Sequence, residues 1–107
     1  MKETSFQRWI GSIQGRDFLA TKEGIIQATG TSRQTLANWQ SGKGEPSVPN
    51  HIRIAYYAHS HGLPAYRPDK IKIIGLQKAI EGSVWINVIW RISDTVAEER
   101  YIPLLKQ

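Results

Sequence analysis

The chain is predicted to be an α+β protein: four to five short helices in front, then a small antiparallel β element. Three observations predict this. Through residue 62, apolar residues recur at spacings of three and four, and glycines close the periodic stretches. In "HGLPAYRPDK", residues 61–70, Gly62, Pro64 and Pro68 interrupt any helix, and each proline pushes the residue before it into extended backbone. Behind that break the period falls to two. In "SVWINVIWRIS", residues 83–93, Val84, Ile86, Val88, Trp90 and Ile92 alternate with Trp85, Asn87, Ile89 and Arg91. The expected organisation is a helical domain over 1–62, a linker over 63–69 and a β-rich C-terminal element over 70–107.

Each element has its own local warrant. Phe6, Trp9, Ile10 and Ile13 make residues 5–14 an amphipathic helix closed by Gly15. Thr21 is an N-cap type and leads "KEGIIQAT" into Gly30; Thr31 and Ser32 offer the next cap, before "RQTLANWQS" and Gly42. Pro49 and Asn50 open "HIRIAYYAHSH", where Ile52, Ala55, Tyr56 and His59 share a face before Gly62. Past the break, residues 83–93 form the strongest strand. "KIKIIGL" pairs with it through a turn near Glu81 and Gly82, and "RYIPLL" adds a third strand with Pro103 at an edge or an end. Residues 70–80 also satisfy a helix capped by Asp69, and the sequence leaves both readings open.

At 107 residues there is room for one small domain with an oligomerising extension, and no room for a large enzyme. With no cysteine, disulfides, thiolate zinc sites and cysteine nucleophiles are excluded. No stretch approaches the roughly 18 apolar residues of a membrane span, so the expectation is a cytoplasmic protein without a membrane partner. The net charge of +5 is uneven. Residues 1–68 carry eight Lys or Arg against four Asp or Glu; residues 69–107 carry six against five. Positive potential therefore belongs to the helical part, where it would attract a polyanion.

The stretch 32–41 is where the chemistry concentrates. At about 100° per residue Leu36 and Trp39 fall together, facing the body of the protein. Gln34, Ala37, Asn38 and Ser41 occupy the opposite face, with Arg33 on its flank. Side chains of these kinds meet base edges in a major groove: Arg with guanine, Gln or Asn with adenine, Ala beside a thymine methyl. Gly30 stands where a tight turn between two helices needs it, so the order helix, Gly turn, cap, helix is a helix-turn-helix plan.

"KEGIIQATGTSRQTLANWQSGKGEPS" resembles the Cro/cI-type (XRE-like) helix-turn-helix regulators of phage and bacteria. The likeness rests on Gly30, the Thr-Ser pair after it, Leu36 and Trp39, and the closing "SGK"; it extends over residues 17–62 and departs at Ile26, where the family usually keeps Ala. The resemblance implies that Ser32, Arg33, Gln34 and Asn38 read bases and that Thr21, Lys22 and Lys43 grip phosphate. It also implies a repressor on double-stranded DNA in a phage, prophage or plasmid setting. A helix beginning after Thr21 would present free N–H groups to a phosphate oxygen.

Other constellations carry less. His59 and His61 are two apart and leave a helix on different faces, with no carboxylate to complete a metal set, so no metal or cofactor is expected and His59 reads as partly buried. "SGKGE" follows a helix and lacks the spacing of a nucleotide-binding loop. Asp94, Glu98 and Glu99 fall in a predicted turn, and no nucleophile, base and orienting residue assemble, so the chain is not expected to be an enzyme. A strand apolar on both faces is usually covered on both. A second copy of the chain is the expected cover, with Trp85, Val88 and Ile89 at the interface. An antitoxin or adaptor whose β half binds another protein fits that strand equally well, and a sheet that stacks single-stranded RNA on Trp85 is a third reading.

Overall fold

The computed structural model describes residues 3–13, 15–69, 72–78, 85–93 and 96–103. The order is α1 (Ser5–Gly11), α2 (Arg16–Thr29), α3 (Arg33–Ser41), α4 (Val48–Ser60), β1 (Lys72–Lys78), β2 (Trp85–Ser93) and β3 (Val96–Pro103). No helix among the described residues is long and apolar enough to cross a membrane.

α1 starts on a reciprocal cap: the Gln7 N–H donates to Thr4 Oγ1 at 3.1 Å, and the Thr4 N–H donates to Gln7 Oε1 at 2.9 Å. It stops short of the expected Gly15, because the Ser12 N–H and hydroxyl both donate to the Trp9 carbonyl, at 3.0 and 2.6 Å. Gly15 instead stands as the N-cap of α2.

α2 corrects the reading of Thr21 as a cap. The helix begins at Arg16, so Thr21 lies well inside it, only 2% exposed. Phe18, Thr21, Ile25 and Ala28 follow one another at helical spacing on its inward side, with Phe18 half-buried and the other three buried. Thr21 is small enough to occupy a core-facing position that the sequence offers as a start signal.

The α2–α3 turn matches expectation. Gly30 caps α2 at φ +67°, its N–H donating to the Ile26 carbonyl at 2.9 Å, and Gly42 ends α3 at φ +81°. Both conformations disfavour a Cβ. Ser32 is the α3 N-cap, its side chain accepting from the Thr35 N–H at 3.1 Å. α4 begins earlier than expected, behind Ser47, with Pro49 in its first turn. His59 is exposed, which corrects its expected burial: it lies in the last turn, and the buried run of α4 ends at Ala58.

The core joins Phe6, Trp9, Ile10 and Ile13 to Ile25 and Ala28 of α2, Leu36 and Trp39 of α3, and Ile54, Ala55, Tyr57 and Ala58 of α4. The segment 63–69 forms neither helix nor strand and is strapped across α1. Tyr66 enters the core at 4% exposure, Trp9 Nε1–H donates to the Pro64 carbonyl at 2.7 Å, and the Asp69 N–H donates to Ser5 Oγ at 2.8 Å. Burial, and then the carboxylates of Glu45 and Asp69, push the Tyr66 phenol well above its ordinary pKa. Its hydroxyl shares a 2.7 Å hydrogen bond with His51 Nδ1.

The three strands form one antiparallel sheet in the order β1-β2-β3. Residues 72–78 are thus strand, the first of the two readings open for 70–80, and residues 70, 71, 79 and 80 lie outside the described residues. β3 starts at Val96, so Glu98 and Glu99 belong to a strand and not a turn, while Pro103 ends it as expected. Asp94, the turn at Glu81 and Gly82, and Leu104 and Leu105 lie outside the described residues, as do the side chains of Trp85, Val88 and Ile89. Register pairs Ile73 with Trp90, and Val88 with Leu76 and Arg100. Ile73 packs on the helical core. By strand alternation position 88 belongs to the face of that Ile73–Trp90 pair, whereas 85 and 89 belong to the opposite face, so the three positions expected at one interface do not share a face.

Gly24 shows how closely α2 and α4 approach. A Cβ there would lie 2.0 Å from Tyr57 Oη and 2.3 Å from Tyr57 Cζ. The Tyr57 ring is held by His61, stacked at a centroid distance of 4.0 Å. Gly24→Ala gains about 1 kcal/mol in helix propensity, but the overpacking costs about 1–3 kcal/mol. The expected result is a lower melting temperature, reversed to a gain when the same change is made in Tyr57→Ala protein. Additive effects in that four-member thermal-melt cycle would reject the contact.

Candidate nucleic-acid interface

α3 is a nine-residue helix with two buried side chains, Leu36 at 1% and Trp39 at 5% exposure. Trp39 meets Phe6 of α1 edge-on at a centroid distance of 5.6 Å. A helix this short is unstable alone, so these two anchors hold it. Its end is tied as well: Gln7 Nε2–H donates to the Gln40 carbonyl at 3.1 Å, and the Lys43 N–H donates to the Asn38 carbonyl at 2.9 Å. Space at Gly42 matters for the first of these bonds, since a Cβ there would come within 3.1–3.3 Å of the Gln7 amide.

With Leu36 and Trp39 inward, the other side of α3 faces outward as the helical wheel requires. Arg33, Gln34, Ala37 and Ser41 are exposed, and Asn38 is partly so. Gln34 Nε2–H donates to Asn38 Oδ1 at 3.1 Å, one helical turn away, so the two expected amide readers are joined as a pair. Ser32 is exposed and its hydroxyl is engaged with Thr35, whose Oγ1 lies 3.1 Å away, as well as with the Thr35 N–H. Its first role is the cap.

Arg33 is paired across the turn, its Nη1 donating to Glu23 Oε1 of α2; the side chains are 76% and 47% exposed. An ion pair as exposed as this one contributes about 0–1 kcal/mol, so it yields readily to a stronger acceptor.

The expected phosphate set divides. Thr21 is buried within α2 and has no helix start behind it, so the geometry that suggested a phosphate contact there is absent. Lys22 is half-buried, with Nζ 5.3 Å from the centroid of the Phe18 ring, a cation–π distance. Lys43 is exposed just beyond Gly42. Lys22, Arg33 and Lys43 thus bring cations to α2 and to the start and end of α3, with Glu23 among them.

Two residues of the site escaped sequence reasoning. Gln7 has a legible signal, the Thr4-x-x-Gln7 capping box, but its reach to Gln40 spans 33 positions. Glu23 has none, because its partner is on another helix. Among the described residues no group of three His, Asp or Glu gathers as a metal site; His51 is buried on Tyr66, and His59 and His61 are exposed. Comparison with protein-family models, with curated proteins and with solved structures found no match for this chain.

Proposed function

We propose that this chain is a sequence-specific, double-stranded DNA-binding regulator of the helix-turn-helix kind, acting as a homodimeric repressor of the sort its resemblance to Cro/cI-type proteins implies. The observation that carries the reading is the outward face of α3. Arg33, Gln34 and Asn38 stand together on a short helix that buries only Leu36 and Trp39. Such a face fits a major groove, where the first turns of a recognition helix meet base edges. Lys43 and Lys22 supply phosphate contacts, which set affinity and register, while Ser32 starts the helix. Two copies related by a two-fold axis would space their recognition helices about 34 Å apart and require an inverted-repeat operator. Occupying promoter DNA then represses without catalysis or cofactor.

The sheet supports the pairing of copies. β2 is the central strand, hydrogen-bonded on both edges, so a partner covers a face rather than adding to β2. Positions 85 and 89, Trp and Ile, lie on the face opposite the Ile73–Trp90 pair. The same two residues favour a second reading, an adaptor or antitoxin whose sheet binds a different protein. That reading gains if the folded chain shows no salt-sensitive affinity for duplex DNA.

Arg33→Ala or Gln34→Ala is expected to cost roughly 1–3 kcal/mol on a selected operator and little on random duplex; equal losses on both would deny base reading. Lys43→Ala should instead weaken every sequence and reduce the slope of log K against log salt by about 0.9. An unchanged slope in a salt titration would remove Lys43 from the interface. Ile89→Asp is expected to give a monomer with an intact helical circular-dichroism signal, whereas Val88→Asp should destabilise the sheet itself. Sedimentation of the folded Ile89→Asp variant as a dimer would reject this face as the contact.

A further inference from the structure

We propose that Glu23 is a positioning residue that orients Arg33 toward one base pair, an inference that rests on the DNA-reading function proposed above. Arg33 opens α3 with its side chain 76% exposed, and the ion pair to Glu23 restrains it. A long side chain at that exposure samples many rotamers, and those aimed at phosphate carry no sequence information. Glu23 narrows that freedom from the α2 side of the turn, weakly enough that Arg33 still exchanges to a base. The turn itself is hydrogen-bonded: the Gly30 N–H donates to the Ile26 carbonyl at 2.9 Å, Thr29 Oγ1–H donates to the Ile25 carbonyl at 2.6 Å, and Thr29 and Thr31 hydroxyls are 2.9 Å apart.

The chemistry left on the guanidinium selects the ligand. With Nη1 engaged by the carboxylate, further N–H donors of the planar fork remain for a second acceptor. Guanine offers two acceptors, O6 and N7, on its major-groove edge, and a pre-aimed fork matches them. The carboxylate also repels backbone phosphate whatever the sequence, so it lowers affinity for random DNA while favouring the site where Arg33 finds guanine. Glu23 thus acts on discrimination more than on total affinity, and the favoured partner is duplex DNA with a G·C pair beneath the first turn of α3.

The test measures binding to the selected operator, to copies changed at each base pair, and to random duplex, at about 150 mM salt. Proteins are wild type, Glu23→Gln, Arg33→Lys and the double variant, each checked for an unchanged thermal melt. The base pair that faces Arg33 is the one whose preference Arg33→Lys erases. Glu23→Gln is expected to raise affinity for random duplex and to cut discrimination at that base pair about tenfold. Preferences elsewhere should hold, and Glu23→Gln should leave discrimination unchanged in the Arg33→Lys background. Unchanged discrimination in the single variant would overturn the proposal by making the pair plain surface; increased discrimination would overturn it by showing that Glu23 masks Arg33. If the wild-type protein selects no duplex at all, the DNA-reading function fails first, and this role of Glu23 falls with it.

Discussion

Two side chains, Leu36 and Trp39, carry the only apolar bulk of α3, and the presentation of its polar face depends on their burial. Leu36 contributes about 1.5–3 kcal/mol by leaving water, and Trp39 adds an edge-on contact with Phe6. Phe6 in turn sits against Trp9 and Tyr66, with ring centroids 6.1 and 6.4 Å away. One aromatic cluster therefore fixes α1, the strap and α3 together. Because the anchors claim one side of a nine-residue helix, the residues opposite them are left to solvent or to a ligand.

Polar groups finish what the anchors begin. Gln7 uses one end of its amide to cap α1 and the other to satisfy a carbonyl in the last turn of α3, so the two helices share a side chain as well as a hydrophobic contact. Helix ends leave carbonyls that need partners, and here a residue from a different helix supplies one. The outward face is internally paired too, Gln34 with Asn38 and Arg33 with Glu23. These pairs are exposed and weak enough to exchange, yet they restrict where each side chain points before any partner arrives.

The strap over 63–69 links the helical domain to the sheet while contributing to the core. Tyr66 is inserted beside His51, stacked at 5.8 Å, and Arg8 meets Asp69 at 2.6 Å on the surface. Beyond it, Ile73 is the described β side chain that reaches the helical cluster. The sheet meets the helices where α4 touches both outer strands, β1 and β3, and the register of β2 puts positions 85 and 89 on the face opposite the Ile73–Trp90 pair.

Local features were legible from the residues alone. Periodicity placed Leu36 and Trp39 inward and the polar residues of α3 outward; Gly30, Ser32 and Gly42 marked the ends of helices; the two-residue alternation of 85–92 marked a strand. These signals are short-range, because a helical wheel, a capping hydroxyl and a positive φ need only neighbours a few residues away. Boundaries that depend on distant neighbours were not legible in this way. Thr21 has the chemistry of a cap, and only its burial within a helix that begins at Arg16 made it a core residue. Residues 70–80 fitted two periods, and only pairing with β2 chose strand for 72–78. The tertiary structure alone brought Glu23 to Arg33, Gln7 to Gln40 and Tyr66 to His51, since contacts between elements follow from packing in three dimensions and leave no fixed spacing along the chain.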